Sequence, residues 1–287
     1  MKILITGIHG FVGGNLVKAL GQSNEIYGLD IVAPEKEGVV KTFSWDDLDE
    51  NKIPQVDAVI HLAGKAHDLK KTSGPEVYFK VNTGLTQKMY DWFLKSSAGK
   101  FIFFSSVKAA ADFVPGDILT EDIVPNPVGP YGESKIKAEE YILSHPAADK
   151  QVYILRPCMI HGPGNKGNLN LLYGVVKKGV PWPLGAFENH RRFTSIDNLC
   201  FVIKGLLVKE VESGIYNMCD DEALSTNGLI TVGDGLHLPL NSERLTKLTE
   251  DYVVSNAKIK KALGIDKMPI RAEEGLTQTI KSFTNTK

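Results

Sequence analysis

The chain has 287 residues, 43% of them hydrophobic, enough for one large α/β domain with a smaller lobe or for two domains. Its formal net charge of −1 gives no electrostatic reason to expect nucleic acid or an anionic membrane as partner. No apolar run approaches the roughly 20 residues of a membrane span, the opening MKILITG is too short for a signal peptide, and Cys158, Cys200 and Cys219 lack metal-ligand spacing, so they read as reduced thiols of a cytoplasmic protein.

Strand and helix signals alternate through the first half, the pattern of a doubly wound parallel sheet in an α/β fold. Lys2–Thr6 predicts a short buried strand, and Phe11–Leu20 has helical spacing that stops at Gly21. Glu25–Asp30 and the weaker Val39–Phe43 predict the next two strands, and Ala58–Leu62 a fourth. Val77–Leu94 reads as one long helix, Phe101–Ser105 as a strand, Tyr131–Leu143 as a helix entered after Pro130, and Gln151–Arg156 as a strand ended by Pro157. Beyond Gly162, glycine and proline punctuate the chain, with one helix near Leu169–Lys178; such segments cover a site rather than build a sheet. Helix returns over Asp197–Val208, a strand over Ile215–Asn217, and helices over Asn256–Leu263 and Ala272–Phe283.

Gly7, Gly10 and Gly13 stand between the first strand and the first helix, the context that a dinucleotide fingerprint requires. Gly7 permits the tight turn, Gly10 the approach of backbone to pyrophosphate, and Gly13 the close packing of helix on sheet. With His9, Phe11 and Val12 they are expected to hold the diphosphate, helped by the free N–H groups of the helix. Asp30, 23 residues after Gly7, can accept both ribose hydroxyls and would repel a 2′-phosphate, which favours NAD over NADP. Asp46 or Asp47, with Leu48, stands where a carboxylate could meet the adenine amino group, although a solvated acidic turn explains the pair equally well. Leu62, Ala63 and Gly64 are small enough for a strand end to pass beside the riboses, whereas His61 reads as a packed core histidine. These features make the first part a Rossmann-type domain.

Tyr131 and Lys135 are four apart and share a helix face. A tyrosine with a pKa of about 10 is a poor base at neutral pH. A neighbouring ammonium, with the positive nicotinamide, favours phenolate, and bringing the pKa to about 7 needs roughly 4 kcal/mol. Such a tyrosine can take a proton from a sugar hydroxyl as hydride leaves its carbon, and return it in reverse. Lys135 is also placed to hydrogen-bond the nicotinamide ribose. Ser105 and Ser106 close a strand whose end faces the ligand crevice; Ser106 can hold the oxygen that Tyr131 protonates, and Ser105 is assigned to the cofactor edge.

The segments TGIHGFVG, HLAG, FKVN, FIFFSS, PYGESK, LRPCMIHGPG and RRFTSIDNL resemble the extended short-chain dehydrogenase/reductases, in particular the NAD-dependent epimerase/dehydratase branch typified by UDP-galactose 4-epimerase. The family spacing of 25 residues between serine and tyrosine selects Ser106. The resemblance implies that Asn82 supports the site from its helix, that Pro157 forms the turn beside the nicotinamide, and that a C-terminal lobe binds a nucleoside diphosphate sugar. Asn168 then looks like the diphosphate asparagine, and Arg191 or Arg192 like the phosphate arginine, a role suited to the guanidinium fork. The expected division is 1–165, with 193–218 returning, for NAD, and 166–192 with 219–287 for the nucleotide sugar. A homodimer through a bundle of the Val77–Leu94 and Tyr131–Leu143 helices is also implied, and no metal is expected.

Two features depart from the family pattern: Val-Lys-Ala-Ala follows Ser106, leaving Lys108 where a small or hydroxyl residue is common, and Met159 replaces a nucleotide-contacting asparagine. A dehydratase is disfavoured, because the extra acid and base it needs are missing from that segment. The remaining readings are a UDP-hexose or UDP-N-acetylhexosamine 4-epimerase, a reductase of a nucleotide-linked 4-keto-6-deoxy sugar in polysaccharide synthesis, and a non-catalytic dinucleotide sensor. The last has no need of Ser106, Tyr131 and Lys135 together.

Overall fold

Nine strands are present among the described residues: β1 (Lys2–Thr6), β2 (Glu25–Leu29), β3 (Lys41–Phe43), β4 (Ala58–His61), β5 (Lys100–Phe104), β6 (Gln151–Pro157), β7 (Ile160–His161), β8 (Thr194–Ser195) and β9 (Gly214–Met218). The helices are α1 (Phe11–Leu20), α2 (Trp45–Asp49), α3 (Pro75–Tyr78), a π segment (Phe79–Gly84) leading into α4 (Leu85–Lys95), α5 (Val107–Ala110), α6 (Gly129–Ser144), α7 (Ile196–Val208), α8 (Ala257–Leu263) and α9 (Ala272–Thr284). They come from a computed structural model that describes residues 1–66, 74–114, 118–165, 189–225 and 251–284. The expected helix near Leu169–Lys178, and Asn168, lie outside these residues. No helix among those described is long and apolar enough to cross a membrane.

Seven strands form one sheet in the order β3-β2-β1-β4-β5-β6-β9, and every pairing from β3 to β6 is parallel. The chain runs outward from β1 to β3, then returns to β4 on the other side of β1. The β1/β4 boundary is therefore the switch point, where ligands of such sheets bind beyond the strand ends. Register brings Thr6, Leu29 and His61 level at this end. One sheet face, carrying Leu4, Val59, Phe101, Phe103 and Ile154, packs into a core with Met89, Tyr90 and Phe93 of α4 and Ala138 and Ile142 of α6. Both faces of the central strands are buried, which explains their unbroken apolar runs.

Several elements differ from the sequence expectation for local reasons. The anticipated single helix over 77–94 begins earlier, at Pro75, and is interrupted by the π turn. Helix α6 begins at Gly129 rather than after Pro130, because Pro130 fits the first helical turn, where its missing N–H costs nothing. The supposed acidic turn at Asp46–Leu48 is helix α2, closed by a reciprocal capping box between Ser44 and Asp47.

Two compact units divide the chain: Met1–Asp112, Glu121–Pro157 and Ile203–Tyr216 form the first, and Phe113–Thr120, Cys158–Val202 and Asn217–Lys287 the second. The second thus takes in 113–120 and 158–165, as well as 193–202. Leu119 is tied there by backbone bonds with Val253 and Ser255, and β7 pairs with β8. Within this unit the buried Asp220 accepts from the Ser195 amide at 3.0 Å and from Asn198 Nδ2 at 2.8 Å.

Candidate active site

The glycine loop follows β1 directly. Gly7 has φ +67°, the left-handed region that glycine enters without strain, and a Cβ there would stand 3.0 Å from the Ala63 amide nitrogen. A Cβ on Gly13 would lie 2.6 Å from the Gly7 carbonyl oxygen, so α1 packs against the loop with no room for a side chain. Helix α1 has no side-chain cap and no acidic residue in its first turn. Its N-terminal amides and partial positive charge are left for an anion. Asp30 follows β2, and its carboxylate is oriented by the His9 amide at 3.0 Å and the Ile31 amide at 2.8 Å. Each oxygen keeps lone-pair capacity for a ribose hydroxyl. The loop, the open helix end and the fixed carboxylate together fit a dinucleotide.

Two other expected cofactor residues have competing uses. Asp47 Oδ2 binds the Ser44 amide at 2.8 Å and hydroxyl at 3.0 Å, and these bonds hold its carboxyl below the usual range. The Leu48 side chain is buried in the core. Asp47 thus serves the cap through Oδ2, and the Leu48 side chain serves the core.

His61 is a core residue, as its sequence context indicates. It lies against Phe101 and Phe103 with ring centroids 6.1 and 5.8 Å away. Thr6 Oγ1 accepts from the Leu62 and Ala63 amides at 3.1 and 3.0 Å, so its proton goes to His61 Nδ1 at 2.7 Å. Thr86 Oγ1 gives its own proton to the Asn82 carbonyl and accepts from His61 Nε2–H at 3.0 Å. The ring is neutral, and burial pushes its pKa down to about 3, with the Lys135 charge adding to the effect. This network pins the segment Leu62–Gly64 against the glycine loop.

Asn82 sits in the π segment. Its Oδ1 accepts from the Lys65 amide at 2.7 Å, and its Nδ2 donates to the Lys65 carbonyl at 3.0 Å and to Ser134 Oγ at 2.9 Å. Ser134 passes its proton to the Tyr131 carbonyl. One side chain thus ties the loop after β4 to the first turns of α6.

Lys135 is buried, and its Nζ donates to the Phe104 carbonyl at 2.7 Å. A Cβ on Gly64 would come within 3.1 Å of Nζ, which places the ammonium beside the Leu62–Gly64 strand end. Burial lowers the Lys135 pKa to about 8, against the opposing charge of Glu139. The Ser106 hydroxyl, which caps α5 through the Lys108 amide at 3.2 Å, acts on Tyr131 in the direction that favours its ionised form. Burial raises the Tyr131 pKa and Ser106 opposes it. In the chain alone, then, burial outweighs the Ser106 effect, and Tyr131 rests as neutral phenol. The Ser105 hydroxyl turns inward to Glu139, so its side chain serves the interior.

Spacing alone does not identify Glu139 and Arg156, which form a bidentate pair at 2.6–3.1 Å behind Lys135. Two signals were readable: Glu139 is four residues from Lys135, and Arg156 is a charge at the end of a buried strand. Pro157, also buried, closes that strand.

In the second unit, Arg191 is held by backbone bonds in both directions with Leu224. The Arg192 guanidinium is anchored by Nη1 on the Val254 carbonyl at 2.8 Å, and its Nε is buried without a hydrogen-bond partner among the described residues.

A family model described as the NAD dependent epimerase/dehydratase family matches residues 3–219. The chain belongs to this family. It is therefore an NAD-dependent enzyme, which removes the sensor reading. A UDP-glucose 4-epimerase of Vibrio cholerae is 28% identical over 98% of this chain and 95% of its own. A GDP-6-deoxy-D-talose 4-dehydrogenase of Aggregatibacter actinomycetemcomitans is 26% identical over 76% of this chain and 74% of its own. Among solved structures, the Thermotoga maritima UDP-glucose 4-epimerase with UDP-glucose superposes with TM-score 0.83 at 21% identity, covering 100% of this chain and 99% of that one. MoeE5 in complex with UDP-glucuronic acid and NAD gives 0.82 at 20% identity over both full chains. These likenesses establish the Rossmann-type fold.

Proposed function

We propose that this family member is a nucleotide-sugar 4-epimerase acting on a UDP-hexose or UDP-N-acetylhexosamine. The observation that carries the reading is the Lys135 ammonium held on the Phe104 carbonyl at the strand end where Ser106 stands, with Ser106 acting on Tyr131 towards ionisation. Gly7, Gly10, Gly13, Asp30 and Lys135 would hold NAD. Bound NAD supplies a hydride acceptor and, within the same turnover, a donor, along with a positively charged ring. Tyr131 takes the C4 hydroxyl proton as the carbinol becomes a ketone, and gives it back when the other face is reduced. Ser106 holds the same oxygen through both halves. Lys135 keeps a positive charge beside the tyrosine while it is ionised. Arg192, with its anchored guanidinium, is the choice over Arg191 for the diphosphate, and Asn168 is retained as a second contact.

Incubation with UDP-glucose, UDP-N-acetylglucosamine and UDP-glucuronate, followed by NMR of the products, tests this reading. The expected result is a C4 epimer without net change in NADH, and NAD recovered from denatured protein by mass spectrometry. Absence of any epimer would overturn it. A second reading, a net 4-keto-sugar reductase, draws support from the similarity to the talose 4-dehydrogenase and from Lys108, whose ammonium pairs with Asp112 at 2.6 Å two residues beyond Ser106. Stoichiometric NADH oxidation with a nucleotide-linked 4-keto-6-deoxy sugar would favour it.

A further inference from the structure

Glu139 lies one turn beyond Lys135 on α6, and its side chain and that of Arg156 are 0% and 1% exposed. Arg156 Nε reaches the two carboxylate oxygens at 3.0 and 3.1 Å, Nη2 reaches Oε2 at 2.6 Å, and the Ser105 hydroxyl donates to Oε1. With the carboxylate so occupied, Lys135 sends its hydrogen bond to the Phe104 carbonyl instead. A buried ion pair adds little net stability over apolar side chains of similar volume. Arg156 moreover keeps a buried Nη1 with no hydrogen-bond partner among the described residues. Packing alone therefore gives no reason for this pair. In charge terms Arg156 cancels Glu139, and the Lys135 ammonium is left as the unbalanced charge of this buried cluster among the described residues.

We propose that Glu139 and Arg156 are positioning residues whose pairing fixes the pH at which the Tyr131–Lys135 couple gives up its proton. This rests on the roles assigned above to Tyr131 and Lys135. The other groups around the couple leave that balance intact. From β4 comes the neutral His61; from the π segment, Asn82. From β5 come the Phe104 carbonyl and the Phe103 ring, whose centroid is 5.0 Å from Lys135 Nζ. From α5 come Ser106 and the mutually paired Lys108 and Asp112. Lys65, after β4, directs its ammonium over the Tyr78 ring.

Whichever of Tyr131 and Lys135 loses the first proton, the sign of a charge change is the same. Glu139→Gln removes a negative charge and lowers the midpoint; Arg156→Gln removes a positive charge and raises it. Glu139 stands eight residues from Tyr131 on α6, about 12 Å along a helix rising about 1.5 Å per residue. At an effective dielectric of about 20, a unit charge at that distance moves the midpoint by about one pH unit.

The test uses the full chain saturated with NAD. The near-ultraviolet tyrosinate band is titrated with Tyr131→Phe as the blank, for the parent, E139Q, R156Q, the double variant and R156K, and the kcat/KM pH profile is recorded with any nucleotide sugar the parent turns over. Opposite shifts in the two single variants, with the double variant and R156K near the parent, support the device. Shifts of the same sign, or none in folded variants, overturn it. If R156Q does not fold, the double variant must still titrate about one pH unit above E139Q. Failure of the parent to turn over every nucleotide sugar would defeat the proposed function, while the spectral titration would still decide on the device.

Discussion

Replacing Lys135 with methionine should exchange activity for stability. Burial brings the ammonium from its ordinary 10.5 to about 8. At about 1.4 kcal/mol per pH unit, keeping it charged inside the fold costs about 3 kcal/mol. Its hydrogen bond to the Phe104 carbonyl returns about 1 kcal/mol. Methionine, of similar length and apolar, should therefore stabilise the cofactor-free protein by about 2 kcal/mol at pH 7. The folded-state pKa lies below the unfolded one, so the penalty is complete below about pH 8 and fades as pH rises towards 10.5. Urea unfolding of both proteins at neutral pH and near pH 10 measures the difference. The variant should lead at neutral pH, the two should converge near pH 10, and turnover should fall by about a thousandfold or more. A variant no more stable than the parent at neutral pH, or a gap that ignores pH, would refute the reasoning.

Other expectations follow from the same geometry. His61 is neutral in the fold with a pKa of about 3 against 6.5 unfolded, so its contribution is complete above pH 6.5 and drains away as pH falls towards 3. At about 1.4 kcal/mol per pH unit the parent should lose about 5 kcal/mol more than His61→Gln between neutral pH and about pH 3, and parallel acid slopes in denaturant titrations would contradict this. Gly13→Ala puts a Cβ 2.6 Å from the Gly7 carbonyl oxygen, which should weaken NAD binding by about tenfold or more and cost about 1–3 kcal/mol of stability. Calorimetry showing parental affinity would rule that out. Arg192→Ala should raise KM for a UDP-sugar by about tenfold to a hundredfold with a smaller effect on kcat, and by more than Arg191→Ala does; the reverse ranking would transfer the phosphate role to Arg191.

The parts of this fold legible in sequence are those written locally. An apolar strand, three spaced glycines and a helix start specify the loop at Gly7–Gly13 without reference to the rest of the chain. Tyr131 and Lys135 share a face because a helix makes residues four apart neighbours. What escaped depended on packing. Glu139 and Arg156 are 17 residues apart and meet only because α6 lies on the sheet beside β6. The resting state of Tyr131 is set by burial, which spacing does not report. The π turn leaves the hydrophobic pattern of α4 intact, so periodicity could not announce it. Helix α2 is a different case: Ser44 and Asp47, three residues apart, spell a capping signal in the sequence itself.

The widened turn at Phe79–Gly84 carries a consequence for how chain length can vary here. Removing one residue from it would restore an even α-helix, since such a bulge accommodates a single extra position. The downstream helix would still turn Met89, Tyr90 and Phe93 towards the sheet, but Asn82 would swing away from Lys65 and Ser134. A one-residue deletion at this point is thus expected to keep the packing of α4 on the sheet while undoing the Asn82 tie between the loop after β4 and α6.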